Sequence, residues 1–247
     1  MTGAAAVRRR GRARRARLRV DWSRLLAAAV SLAAAGGLAA ATTLALPIRD
    51  VVVAGASRLP AASVRQAAAL DGASVFRASA TAAEARVAAM PAVRRARVTL
   101  QLPDRALIDV EERRPSIIVS SASGRLVADD DGALFALPVL GVMATLEDET
   151  ARRAEGERLD PAVVAATLAI AAREPAYFGH AIEHIRLTSA YGLVATIGGP
   201  TEIRLGSADQ IDAKLEAARQ IVLSRGGKRL DYVDVRTRET PVFFPSN

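Results

Sequence analysis

From Leu25 to Leu46 the chain runs 22 residues without a charge. As a helix at ~1.5 Å per residue, that run reaches ~33 Å, enough to cross a hydrocarbon core of ~30 Å. Arg24 and Arg49 bracket it. Alanine inserts only marginally, so Leu25, Leu26, Val30, Leu32, Leu38, Leu44 and Leu46 supply most of the drive into lipid. A polar face, which a soluble core helix keeps, is missing. The run predicts one membrane-spanning helix over 25–46. A cleaved signal peptide is the competing reading: its apolar part runs ~7–15 residues, and Ala41–Ala45 offers small residues for cleavage.

Charge is distributed to match. Residues 1–24 hold nine arginines against Asp21, out of 34 basic and 26 acidic residues in the whole chain. Removing that tail leaves 25 of each sign, so the basic balance belongs to the tail and the remainder is neutral. Such an asymmetry places 1–24 in the cytoplasm and 47–247 outside, making a single-pass cell-membrane protein. The tail reads as a solvated topogenic segment that touches anionic lipid. Its rival, a nucleic-acid arm, lacks interleaved aromatics, and the neutral body has no electrostatic footprint for DNA or RNA. With no cysteine, disulfides and thiolate chemistry are excluded.

Beyond the apolar run, Ile48–Ala54 reads as a strand ended by Gly55. Pro60 opens a helix with Val64, Ala67 and Ala68 on its apolar face. Thr81 and Glu84 read as the capping box of a second helix, which carries Val87 and Met90 and stops before Pro91. Strict alternation follows. Ala96, Val98, Leu100 and Leu102 share one strand face; after a Pro103-Asp104 turn, Ala106, Ile108 and Val110 share a face of the return strand. Strand, helix, helix, strand, strand gives a small α+β module over 47–116.

That element order is the order of a POTRA domain, and the residues resemble the FtsQ-type pattern of the FtsQ/DivIB cell-division family. The resemblance is carried by Met90-Pro91-Ala92-Val93, by Ala96, Val98 and Pro103, and by Ile108, Val110, Glu112, Arg113 and Pro115. Ala92 and Leu102 stand where the pattern has tryptophan, and Ala106 where it has leucine. Later segments, Ile203–Gly206, Lys214-Leu215 and Tyr232–Arg236, look like that family's C-terminal β domain, here 117–247.

Within 117–247, Leu126–Leu137 reads as a hairpin about Asp131-Gly132, and the charged stretch 147–160 as an exposed loop. Pro161–Arg173 is helical in pattern. Ile182–Thr188, Tyr191–Ile197 and Glu202–Leu205 are strands. Ser207 and Gln210 read as the cap of a helix with Ile211, Leu215, Ala218 and Val222 on one stripe. Tyr232–Arg236 and Val242–Phe244 are the last strands. The fold class is α+β: one N-terminal helix, the POTRA module, then a mixed β-rich domain with two helices.

The residues suited to catalysis do not assemble into a site. His180 and His184 have i, i+4 spacing but sit at a strand, without a third metal ligand. Asp129-Asp130-Asp131-Gly132 lacks the alternate spacing of a calcium loop and reads as a turn. Glu111 and Glu112, adjacent on a strand, face opposite ways and cannot share a substrate; Glu112-Arg113 reads instead as the end and orienter of the module. No catalytic, cofactor or metal residue is assigned, and no small-molecule substrate.

Recognition then falls to strand edges, because a strand near the C-terminus is often an exposed one. The family resemblance implies a bitopic division scaffold whose last strands receive a segment of FtsB, itself paired with FtsL, and which links them to the septal wall-synthesis enzymes FtsW and FtsI at the septum. Mapped onto this chain, the docking residues are Tyr232, Val233, Val235, Arg236, Thr237, Val242, Phe243 and Phe244, with Arg236 facing an incoming carboxylate. The alternative is a membrane-anchored POTRA protein acting as an export chaperone or assembly factor; relatives of that kind continue into a β-barrel, for which this chain is too short.

Overall fold

A computed structural model describes residues 22–138, 141–226, 230–237 and 241–245. Most of the basic tail, and Thr240 near the C-terminus, lie outside the described residues. The chain divides into two units, Met1–Leu46 and Pro47–Asn247.

In the first unit, a run of alanine and leucine, both strong helix formers, winds into α1 (Trp22–Ala45). Trp22, Leu26, Val30 and Leu32 are exposed on it. The side chains of 24, 25 and 39–45 lie outside the description. Among the described residues, no helix is long and apolar enough to cross a membrane.

The second unit opens with β1 (Asp50–Ala54), α2 (Ala61–Ala68), α3 (Ala80–Ala88), β2 (Val93–Gln101) and β3 (Arg105–Glu112). Among the described residues these strands form one sheet in the order β1-β3-β2, with β1 parallel and β2 antiparallel to the central β3. Alternation turns Val98, Ala106, Ile108 and Val110 inward, where they are buried together with Val51, and with Val64, Ala68, Ala83 and Val87 of the two helices. The element order is the expected one. Two details differ. The cap of α3 is Ser79, whose side chain accepts from the Ala82 N–H, and Glu84 instead accepts from the Val98 N–H at 2.8 Å. Leu102 leaves the buried face and is 69% exposed, because β2 ends at Gln101 and the chain has already turned.

The remaining strands are β4 (Ile117–Ser121), β5 (Gly124–Ala128), β6 (Leu134–Phe135), β7 (Thr145–Asp148), β8 (Ile182–Thr188), β9 (Gly192–Ile197), β10 (Thr201–Gly206), β11 (Leu230–Asp234) and β12 (Val242–Pro245). They form a second sheet in the order β12-β11-β10-β9-β8-β7-β4-β5-β6. Two helices, α4 (Pro161–Ala171) and α5 (Ile211–Ser224), share the main core with this sheet; Ile170, Leu215 and Ala218 lie in one cluster with Leu146, Ile203 and Val233. The hairpin about Asp131-Gly132 is present as β5–β6.

The charged stretch 147–160 is not a uniform exposed loop. Glu147 and Asp148 finish β7, a strand pairing with both β4 and β8. Asp148 is buried, and its carboxylate accepts from the Thr150 N–H and hydroxyl and pairs with Arg153 at 2.7 Å. A buried carboxylate persists when its lone pairs are filled this way. The cap of α5 differs too. Gln210 sits in the left-handed region without a side-chain cap bond, while Ser207 is taken by the buried Lys214, whose Nζ donates to its carbonyl oxygen (2.9 Å) and Oγ (3.1 Å).

Candidate partner-docking edge

Two ends of the larger sheet could accept a further strand, and they are finished differently. At one end, β6 is two residues long and covered. Leu134 donates to the Glu157 carbonyl, Gly156 donates to that of Leu134, and Ala133 bridges Arg158. Gly132 permits this covering. Its φ is +79°, and a Cβ there would collide with the Leu159 carbonyl oxygen, which its backbone must pass closely. At the other end lies β12. Its inner side pairs antiparallel with β11, as Val242↔Asp234, Phe243↔Val233 and Phe244↔Tyr232. Among the described residues nothing pairs with its outer side.

Period-two alternation sorts the expected docking residues into two sets. Val233 and Val235 are buried in the core, and Phe243 is half-buried against it beneath the Arg225 guanidinium, 3.8 Å from the ring centroid. The side chains of Val233 and Val235 are thus removed from any partner, because alternation turns them to the sheet face that packs against α5. Strand β11 also ends at Asp234, two residues before the expected Arg236. Tyr232, Arg236, Thr237, Val242 and Phe244 keep accessible surface. Phe244 is 52% exposed and stacks on Tyr232, with centroids 6.0 Å apart and planes 7° apart.

The face carrying Phe244 and Tyr232 continues inward. Arg204 on β10 lies 4.0 Å from the ring centroids of both Tyr232 and Tyr191. Glu202 accepts from Arg204 at 3.1 Å and from Arg186 at 2.6 Å. Arg236, expected to wait for a partner carboxylate, is already bidentate on Asp234 at 2.9 and 3.0 Å. That bond to Asp234 raises its pKa further, so the guanidinium stays charged, and an incoming carboxylate has to share it. Arg204, Tyr191 and Glu202 escaped sequence reasoning. Arg204 alternates with the buried Ile203 and Leu205, but nothing in the chain order announces the parallel β10–β11 pairing that brings it to Tyr232.

The acidic positions have structural partners. Asp129, Asp130 and Asp131 lie together, yet Asp129 is bound by Arg113 and by the Ala133 N–H, and Arg94 reaches Asp130 and Asp131 at 3.7 and 3.2 Å. Gly132 closes the turn by donating to the Asp129 carbonyl. His184 Nδ1 contacts Glu147 Oε1 at 2.9 Å.

Glu112 and Arg113 end β3 by turning to two different neighbours. The Glu112 carboxylate accepts from the backbone N–H groups of Ser57, Arg58 and Leu59 (2.7–2.8 Å) and from the Ser57 hydroxyl (3.0 Å). Burial raises its pKa, but these four donors outweigh that and hold it below the ordinary value. Arg113 reaches across to Asp129, Nη1 to Oδ2 at 2.6 Å. Beside this pair Ala92 packs with Ile118, Val127 and Phe135. The Arg113 and Ala92 contacts fasten the three-stranded sheet to the larger one, while Glu112 ties the end of β3 to the loop after β1.

Comparison with known proteins is consistent with this architecture. The family described as "POTRA domain, FtsQ-type" matches residues 46–113, the segment that folds as β1-α2-α3-β2-β3. The chain is 28% identical over 187 residues to the cell division protein FtsQ of Corynebacterium glutamicum, an alignment covering 74% of this chain and 82% of that relative. The chain thus resembles the FtsQ/DivIB family of cell-division proteins, through its FtsQ-type POTRA segment and along most of its length.

Proposed function

We propose that this chain is a membrane-anchored, non-enzymatic scaffold of the division machinery that captures its partner by adding a strand to β12. The reading supposes four parts: a cytoplasmic tail (1–24), a membrane helix (25–46), a POTRA domain (47–116) and a β domain (117–247). The observation that carries it is the asymmetry of the larger sheet, with one end covered by residues 154–159 and the other ending in the outer side of β12, unpaired among the described residues. An exposed edge offers a row of backbone donors and acceptors, and an incoming strand gains main-chain bonds there whatever its sequence. Selectivity then comes from side chains beside the edge: the Phe244–Tyr232 stack for an apolar residue, and the Arg204 and Arg236 guanidiniums for carboxylates.

The likeness to FtsQ supports an FtsB-like segment, presented with FtsL, as the incoming strand, and the septal enzymes FtsW and FtsI as the machinery so recruited. The charge-free stretch 25–46, with Leu26, Val30 and Leu32 exposed on α1, supports the anchor.

Deleting the chain from Thr240 onward removes β12 and is expected to abolish co-purification of an FtsB-like protein while membrane association persists. Phe244→Ala removes only the stack, costs about 0.5–1.5 kcal/mol of fold stability, and is expected to weaken capture. Undiminished co-purification with the truncated chain refutes the proposal.

A further inference from the structure

The α+β module has two distinct ends, and the end where β1 begins carries an apolar feature that its fold does not use. Three segments meet there: the residues entering β1, the loop between α2 and α3, and the turn between β2 and β3. Backbone hydrogen bonds tie them together. Ile48 donates to the Ala73 carbonyl, Gly72 donates to that of Ile48, and Pro47 bridges Ser74. Arg49 and Asp50 both donate to the Asp104 carbonyl, at 2.8 and 3.2 Å.

Each loop holds one large apolar side chain outward. In the turn at 74–78, closed by Arg77 and Ala78 donating to the Ser74 carbonyl, Val75 is buried and Phe76 is 53% exposed. In the other loop Leu102 is 69% exposed. Both loops are pinned to residues 47–50, the first four after the apolar N-terminal unit. Phe76 is two residues from Ser74, so it lies within about 12 Å of Pro47 at ~3.3 Å per residue and one inter-strand spacing.

We infer that Phe76 and Leu102 form a lipid-contacting tip, by which this end of the module rests in the headgroup layer of the bilayer holding residues 25–46. The inference rests on the anchor reading of that segment. If Leu46 leaves the hydrocarbon, Pro47 emerges in the interfacial layer, and the two loops bonded to 47–50 are at the same depth. At that boundary surface-lying segments bury Phe and Leu side chains and so withdraw them from water. Charges at this end balance: Arg49, Arg77 and Arg105 stand beside Asp50, Asp71 and Asp104, with Arg105 paired to Asp50 at 3.0 Å. The contact is therefore apolar in origin and indifferent to lipid charge.

The cysteine-free chain allows a direct test on the full-length protein. Single nitroxide labels at Phe76→Cys, Leu102→Cys, Leu32→Cys and Leu223→Cys are placed in phosphatidylcholine nanodiscs, with and without anionic lipid. Collision with oxygen and with a water-soluble nickel chelate reports depth. Labels at 76 and 102 are expected to show an oxygen-to-nickel ratio between those at 32 and 223, unchanged by anionic lipid. Labels at 76 and 102 matching 223, while 32 reads lipid, overturn the tip and leave the anchor standing. A water reading at 32 removes the anchor and the tip with it. Reduced collision with both reagents at 76 and 102 indicates a protein neighbour and also overturns the tip. A split, with one loop in lipid and the other in water, does the same, because both are pinned to the same residues.

Discussion

Replacing Arg113 by alanine should be the most damaging single change away from the main core. Its guanidinium is 14% exposed and the Asp129 side chain 1%, with Nη1 2.6 Å from Oδ2. Removing one member of a buried pair costs about 3–5 kcal/mol, because the other charge stays behind unpaired. Asp129 would retain the Ala133 N–H at 2.8 Å, which places the loss near the lower bound, about 3 kcal/mol. With a urea slope of about 1–3 kcal/mol per molar, the midpoint moves down by roughly 1–3 M. Far-UV circular dichroism of the full chain in detergent micelles, followed through urea, reads this directly. Adding Asp129→Ala should recover part of the loss, since the double variant no longer buries a lone carboxylate, and the resulting cycle measures the coupling. An Arg113→Ala loss under about 1 kcal/mol, the range of a solvated surface pair, would refute the view that this contact locks the two sheets together.

Glu112→Gln tests the other half of the same corner. The carboxylate's folded pKa lies below its ordinary 4.5, so its contribution is fully present above that value and is lost as pH falls through the folded value. The substitution is expected to cost about 1–2 kcal/mol at pH 7, discounted for partial exposure, and progressively less below pH 4.5; a pH-independent difference in thermal melts contradicts this. Gly132→Ala forces a positive φ on alanine and drives its Cβ into the Leu159 carbonyl. It should cost more than about 1 kcal/mol and uncover β6; unchanged Tm and unchanged proteolysis of 154–159 count against that.

How far the chain announced its structure depended on whether the deciding contacts were local. Alternation located β3 closely, because it buries one face and period two is then written into the residues. Strand β7 was hidden: Thr145–Asp148 is four residues long and ends in two acids, and it is a strand only because β4 and β8 pair with it from both sides. Asp148 is buried in spite of its charge because Thr150 and Arg153 fold back on it, a pattern of polar residues that reads equally well as an open loop. Caps failed for a similar reason. Ser79 and Thr81 both fit a cap, and the choice went to the residue that frees Glu84 for the Val98 N–H across the sheet. Along β12, alternation sets Phe243 and Phe244 on opposite faces, whereas Arg204 meets Tyr232 and Tyr191 only through sheet order.

The parallel pairing of β1 with β3 has a mechanical consequence. The chain enters the module at the start of β1 and leaves it at the end of β3, so tension between Pro47 and Ser116 pulls the two neighbours past one another along their length. Five register pairs, Asp50↔Arg105 to Ala54↔Asp109, then share the load at once instead of peeling apart singly. A module strung this way is stiff against extension, and tension applied at Pro47 passes through it to the larger sheet without first unravelling it.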